Sequence, residues 1–316
     1  MRGIASILVA CFHFGASATA ALPEALTTFA WLGVDVFFVI SGFVIPLSLY
    51  AREYQAKDFS AFLLRRLVRI EPPYLASILL TIFLWHLSAS FTQSGGSEPS
   101  YSLAQIGFHL FYLVPLTDYA WLGPNYWSLA YEFVFYIVVG LTFPILMPRG
   151  STATFATIAA VAAFYFYLQR QLSWDPLITV RVVEFGIGVL LMRLVVDRGR
   201  RSTIANSLYL IACLAFVFHE HSVIGAVVLA SVAAIFLLKD AKLGPWAYFI
   251  GGFSYSLYLT HTLIGGRIVN IGKRFGSGDV YETILIGIAL AGSIAFALIF
   301  AHFFEGPAKR AAQRIG

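Results

Sequence analysis

The chain has 316 residues, of which 59% are apolar (AVILMFWYC) and 12% charged, with a net charge of +5 and a mean hydropathy of +0.80. Soluble domains carry roughly 45–50% apolar and about 25% charged residues, so a soluble enzyme, a disordered chain, a coiled coil and a disulfide scaffold are all excluded. The basic residues lie in short loops between apolar runs, which reads as positive-inside topology rather than nucleic-acid binding, and Cys11 and Cys213 both sit inside apolar runs, away from any disulfide or zinc pattern.

A membrane-spanning helix needs about 20 mostly apolar residues. Such runs occur at 3–22, 29–50, 72–91, 125–147, 152–170, 174–196, 204–219, 222–238, 246–266 and 281–304. They are continuous, not alternating as barrel strands are. The expected fold is therefore all-α: a polytopic transmembrane helix bundle of about ten spans, in one domain over residues 1–316. Residues 103–116 are apolar but short, with His109 and Pro115, so they span, dip in or lie flat. If they do not span, 16 of the 21 basic residues fall on one face, and both termini are cytoplasmic. If they do span, the Arg198–Arg201 cluster crosses to the far side, against the rule. Arg2, the apolar residues 4–14 and the small residues 16–21 imitate a signal peptide. The later loops, however, obey the positive-inside rule only if this first run stays. Residues 92–100 read as an extracytoplasmic loop.

Ionisable groups inside spans cost about 2.5 to 3.5 kcal/mol at the helix centre, so each needs a reason. His13 lies 11 residues beyond Arg2, about 16 Å deeper on a helix and near mid-membrane. Taken alone, a buried histidine is a helix-to-helix hydrogen bond as readily as a site. Asp35 caps its helix, pairs with a neighbour or orients His13, and Ser41-Gly42 predicts a local break in that helix. Arg66 and Arg69 share a helical face before Pro72-Pro73, which is expected to end the segment. Two guanidiniums one turn apart suit a phosphate, as they also suit anionic lipid. Trp127 fits an aromatic belt, and Ser128 and Glu132 share a face at i, i+4, where a carboxylate binds a polar substrate or pairs with a cation. Arg181 and Glu184, at i, i+3, read as a mutually satisfying pair. His219-x-His221 is short of zinc ligands, and no protease, hydrolase or nucleotide-binding motif is present, so no metal is expected.

Several segments in order resemble the acyltransferase-3 family of membrane O-acyltransferases. They are Arg2-Gly3 with His13, Gly33-Val34-Asp35-Val36-Phe37-Phe38, Arg65-Arg66-x-x-Arg69, Trp127-Ser128-Leu129 with Glu132, Ser254-Tyr255-Ser256-Leu257-Tyr258-Leu259-Thr260-His261, and Glu305-Gly306-Pro307. Ala130-Tyr131 stands where Ser-Val commonly precedes the glutamate. The resemblance implies transfer of an acetyl group from cytoplasmic acetyl-CoA to a hydroxyl of an extracytoplasmic glycan, such as a bacterial surface polysaccharide or exopolysaccharide. It also implies an inner-membrane location and, with 11 residues after Glu305, the stand-alone form.

By the same resemblance His13 is the catalytic candidate, with Asp35 beside it, and Arg2, Arg66 and Arg69 hold acyl-CoA. Trp127, Glu132, Tyr258 and His261 are expected to line the acceptor's entry. Acyl-CoA, a carbohydrate acceptor and membrane lipid are the expected partners. The alternative is a proton-coupled secondary transporter, or an exporter of a glycan or lipid-linked substrate, using His13, Glu132 and His261 as a relay. It requires an internal repeat, and none is visible in the sequence.

Overall fold

A computed structural model describes residues 1–16, 18–91, 101–172, 177–197, 199–242 and 244–315. The expected 92–100 loop and Arg198 lie outside the described residues. Thirteen α-helices and no strand are found among the described residues. In chain order they are α1 (Arg2–Gly15), α2 (Ala21–Thr27), α3 (Gly33–Tyr50), α4 (Phe59–Phe91), α5 (Leu103–Leu110), α6 (Trp127–Leu172), α7 (Ile178–Val196), α8 (Arg200–Glu220), α9 (Ser222–Leu238), α10 (Pro245–Gly252), α11 (Ser254–Gly272), α12 (Asp279–Phe300) and α13 (Gly306–Gln313). Five helical stretches among the described residues are long and apolar enough to cross a membrane: Ala21–Tyr50, Ala56–Ser90, Trp127–Gln171, Arg200–Glu220 and Asp279–Gln313. Shorter apolar helices include Arg2–Gly15 and Ser222–Leu238.

The chain folds as two compact units. The first comprises Met1–Arg2, Val34–Ser60 and Phe135–Gly244, and the second Gly3–Gly33, Ala61–Val134 and Pro245–Gly316.

In the first unit α7 is buried nearly all round, as expected of a helix apolar on every face. Phe185 stacks on Phe135 at 4.4 Å and leans on Phe38 at 4.8 Å. The expected break at Ser41-Gly42 does not occur, since α3 runs unbroken through both residues. Gly42 instead lets α3 approach α7, because a Cβ there would collide with the Phe185 carbonyl, and Gly188 meets Val39 and Gly42 from the other side. Small residues at such crossings are how membrane helices pack closely. Gly42→Val should therefore cost at least about 1–3 kcal/mol of overpacking and drive the protein out of the monodisperse fraction on size-exclusion chromatography. A wild-type elution profile and melting point would refute the contact.

α6 joins two of the expected spans. Its limbs meet at Gly150, whose φ of 83° is open to glycine and strained for other residues.

In the second unit the first apolar run is shorter than expected: α1 ends at Gly15 after 14 residues. The cause lies far away in sequence. Glu282, in the first turn of α12, accepts hydrogen bonds from the Thr19 N–H at 2.8 Å, the Thr19 hydroxyl at 2.5 Å and the Ala20 N–H at 3.2 Å. Asp279 accepts from the Leu22 N–H at 3.0 Å, so backbone donors that would continue α1 go to carboxylates instead.

Pro72 and Pro73 do not end their segment either. α4 passes through both, and in the same turn the Ile70 carbonyl accepts from the Tyr255 hydroxyl at 2.9 Å. Along the α1–α11–α12 contact, Ala10, Phe14, Val269, Leu285 and Ala289 form one core cluster, and Phe253, Leu257 and Ala297 another.

Residues 101–126 fold back along α4 as a hairpin. Tyr101 bonds His86 of α4 at 2.8 Å, Tyr112 bonds Glu71 at 2.7 Å, and Tyr126 returns to Ser77 at 3.0 Å. The chain thus descends along α4 by about 22 Å of helix rise and comes part of the way back. α5 has 8 residues, too few to cross.

Candidate functional site

The motif residues at the start of α11 are fixed from two directions. Glu305, buried in the π-helical turn before α13, accepts from the Ser256 N–H at 3.1 Å and its hydroxyl at 2.6 Å, while Lys309 closes an ion pair on its other oxygen at 2.6 Å. On the hairpin side, the Asn125 amide donates to the Tyr258 carbonyl at 2.5 Å, and the Tyr258 hydroxyl donates to the Asn125 carbonyl at 3.0 Å and lies 2.5 Å from the Ser128 hydroxyl. Two sequence-distant motifs therefore brace one helical turn, and that turn carries His261.

His261 is fully buried. Its Nδ1 faces the carbonyls of Tyr258 at 2.9 Å and Leu257 at 3.1 Å. Carbonyls only accept, so the proton resides on Nδ1 and Nε2 presents its lone pair. Among the described residues that Nε2 is buried with no hydrogen-bond partner. His13, half-buried on α1, lies beside it, with the ring centres 5.1 Å apart and the planes at 40°. The approach depends on Gly265, one turn beyond His261, where a Cβ would run into the Phe14 ring. Phe14 itself sits 6.1 Å from the His261 ring. An imidazole pair with one unfilled buried acceptor is suited to receive a hydroxyl proton.

Arg66 and Arg69 are half-buried on α4 of the same unit, Arg66 with its guanidinium 5.5 Å from the Phe62 ring centre. The Tyr255–Ile70 bond sets their level relative to the histidines. Arg69 and Arg66 precede Ile70 by about 1.5 and 6 Å of rise, and His261 follows Tyr255 by about 9 Å. Trp127, edge-on to Tyr131 at 5.6 Å, opens α6, and Glu132 follows Ser128 by one turn, half-buried.

Arg2 and Asp35 belong to the first unit. There Arg2 donates to the Ser41 hydroxyl at 2.8 Å. Asp35, Glu184 and Arg181 form one buried electrostatic group. Glu184 thus feels Arg181, as the i, i+3 spacing suggested, and a second carboxylate, Asp35, as well.

Sequence reasoning missed the polar stripe of α4. Glu71, Tyr74, Ser77 and Thr81 recur at helical spacing and anchor the hairpin through Tyr112, His109 and Tyr126. Tyr112 adopts φ 56°, unusual for a side chain of its size, and is clamped between Tyr74 at 5.3 Å and Phe133 at 4.7 Å. His109 bonds Tyr74 at 2.9 Å through Nδ1 and accepts from the Leu122 N–H at 3.2 Å through Nε2. Burial pushes its imidazole down to about 4, so it is a neutral structural pin. The 3–4 spacing of these polar residues was the available signal.

The chain is 24% identical over 314 residues to acyltransferase MdmB of Streptomyces mycarofaciens, covering 89% of this chain and 79% of that protein. It is 27% identical over 293 residues to the protein named "Putative membrane-bound transacylase BcsY" of Komagataeibacter xylinus, covering 83% of this chain and 70% of the relative. No solved structure matches. The profile of the acyltransferase domain (acyltransferase-3) matches residues 1–302, running through both units. The chain therefore belongs to the acyltransferase-3 family of membrane acyltransferases.

Proposed function

We propose that the protein transfers an acetyl group from cytoplasmic acetyl-CoA to a hydroxyl of an extracytoplasmic glycan, in a bacterial inner membrane that it crosses about ten times with both termini inside. The carrying observation is the His13–His261 pair within the helices of one unit, with the unfilled Nε2 acceptor between braced motifs. A hydroxyl is a poor nucleophile unassisted, and neutral His13 is the general base that takes its proton. The alkoxide then attacks the thioester carbonyl, the new C–O bond forms, the C–S bond breaks and CoA leaves as the thiolate.

CoA is a polyanion that cannot enter lipid, so its phosphates stay at the cytoplasmic face, held by Arg66, Arg69 and Arg2, while the slender pantetheine arm extends inward. The helix rise between the arginines and His261 is of the kind such an arm spans. Trp127, Glu132, Tyr258 and His261 face the acceptor, and Asp35 supports the catalytic side. The names of the two relatives, an acyltransferase and a membrane-bound transacylase, agree with the chemistry.

The test is to reconstitute the protein in lipid vesicles, supply acetyl-labelled CoA on one side and candidate glycans on the other, and locate the label. Label on the glycan hydroxyl supports the reading, and unmodified glycans with intact acetyl-CoA would refute it. Arg69→Ala should weaken acetyl-CoA binding by roughly tenfold to a hundredfold, as expected for a charge-assisted bond worth about 1.5–3 kcal/mol, without changing acceptor preference. Unchanged donor affinity in a binding titration would remove the phosphate clamp.

A further inference from the structure

A hollow of about 410 Å³ opens in the first unit, within the size range of sites for small ligands. Its walls are the second limb of α6, the start of α7 and the second half of α8, with Phe155, Ala163, Phe166, Thr179, Val183 and Cys213 among its lining. One end is shut, because Phe155 stacks on Tyr209 at 4.4 Å and Tyr209 bonds the Thr152 hydroxyl at 2.9 Å. The same contacts set the register. Eleven residues beyond Phe155 stands Phe166, and eleven beyond Tyr209 stands Glu220, so both lie about 16 Å further along, at the other end. Glu220 lines the hollow there, and the Arg170 guanidinium lies 4.9 Å from the Phe166 ring centre. The hollow is a largely apolar slot open along one side, with the Phe155–Tyr209 stack at one end and one cation and one anion at the other.

α6 and α8 lie in two of the stretches long and apolar enough to cross a membrane, so on the topology of the proposed function the slot opens onto hydrocarbon. The walls are apolar apart from Glu220 at one end and Thr179, whose hydroxyl already donates to Gln169 at 3.0 Å, so along its length the hollow has little to offer ordered water or the backbone donors of an inserted peptide strand. A single hydrocarbon chain meets neither objection. The charged end narrows the choice further. Arginine favours a phosphate, but the carboxylate of Glu220, at the same end of the hollow on another helix, disfavours a purely anionic headgroup and suits an ammonium. We propose that this slot holds one acyl chain of a phosphoethanolamine-bearing phospholipid, with Arg170 on the phosphate and Glu220 on the amine.

The test uses the full chain in detergent, titrated with phosphatidylethanolamine or phosphatidylglycerol of identical acyl chains, with bound lipids counted by native mass spectrometry. One phosphatidylethanolamine should remain per chain, retained at least fivefold better than phosphatidylglycerol. Ala163→Trp, which fills the slot from an exposed position, should reduce retention about tenfold. Glu220→Gln, on the surface and harmless to folding, should keep a lipid but abolish the preference. Equal retention of both lipids by the unaltered protein, or an undiminished preference in Glu220→Gln, would overturn the headgroup assignment. Undiminished retention in Ala163→Trp would overturn the slot itself.

Discussion

His13→Ala should lower acyl transfer by about a hundredfold to ten-thousandfold, the usual contribution of a positioned general base, while leaving acetyl-CoA affinity unchanged. The loss can be read as chemistry because His13 does little for the fold. It is only half-buried, whereas its neighbour Phe14 is 1% exposed and carries the packing of α1 against Val269, Leu285 and Ala289. Donor affinity should hold because two of the proposed phosphate ligands, Arg66 and Arg69, sit on α4, and the third, Arg2, lies eleven residues, about three turns, before His13 on α1. Transfer by purified vesicle-embedded protein, with donor binding measured on the same preparation, separates the two quantities. A variant that binds acetyl-CoA and transfers acetyl at the wild-type rate would end the base assignment.

Local pattern made the helices legible, because a run of apolar residues long enough to cross lipid has few other folds available. The misplaced ends have tertiary causes. α1 stops where it does because Glu282, far along the chain, takes the N–H groups of Thr19 and Ala20. α3 does not break at Gly42 because that glycine serves a helix crossing, and nothing in its neighbours' identities distinguishes the two uses. The hairpin around 103–116 is held by side chains on another helix, Glu71 and Ser77, whose partners no local reading supplies.

The site shows the same division. His13 and His261 were each noticed as ionisable groups in apolar runs, yet their pairing spans most of the chain and depends on Gly265 being bare. Asn125 passed unnoticed because its value lies in a backbone carbonyl and an amide that lock Tyr258, a role with no residue-type signature.

His261 should prove as demanding as His13, and in a different parameter. Its Nδ1 proton is committed to the carbonyls of Leu257 and Tyr258, so only Nε2 remains available, and that atom is buried with no donor among the described residues. An unfilled buried acceptor costs about 1–3 kcal/mol in the resting protein, a cost recovered when a hydroxyl enters and donates to it. Acceptor binding and alignment should therefore depend on this lone pair. His261→Phe, which keeps a ring of similar bulk and removes both nitrogens, should reduce kcat/KM for the glycan on the order of a hundredfold, about 2.7 kcal/mol, with KM for acetyl-CoA unchanged. A ring that merely filled space would be replaced by phenylalanine at little loss, since volume-conserving apolar swaps in cores usually cost under about 1.5 kcal/mol. Wild-type kcat/KM in His261→Phe would reduce His261 to packing and leave His13 as the sole imidazole in contact with the reacting groups.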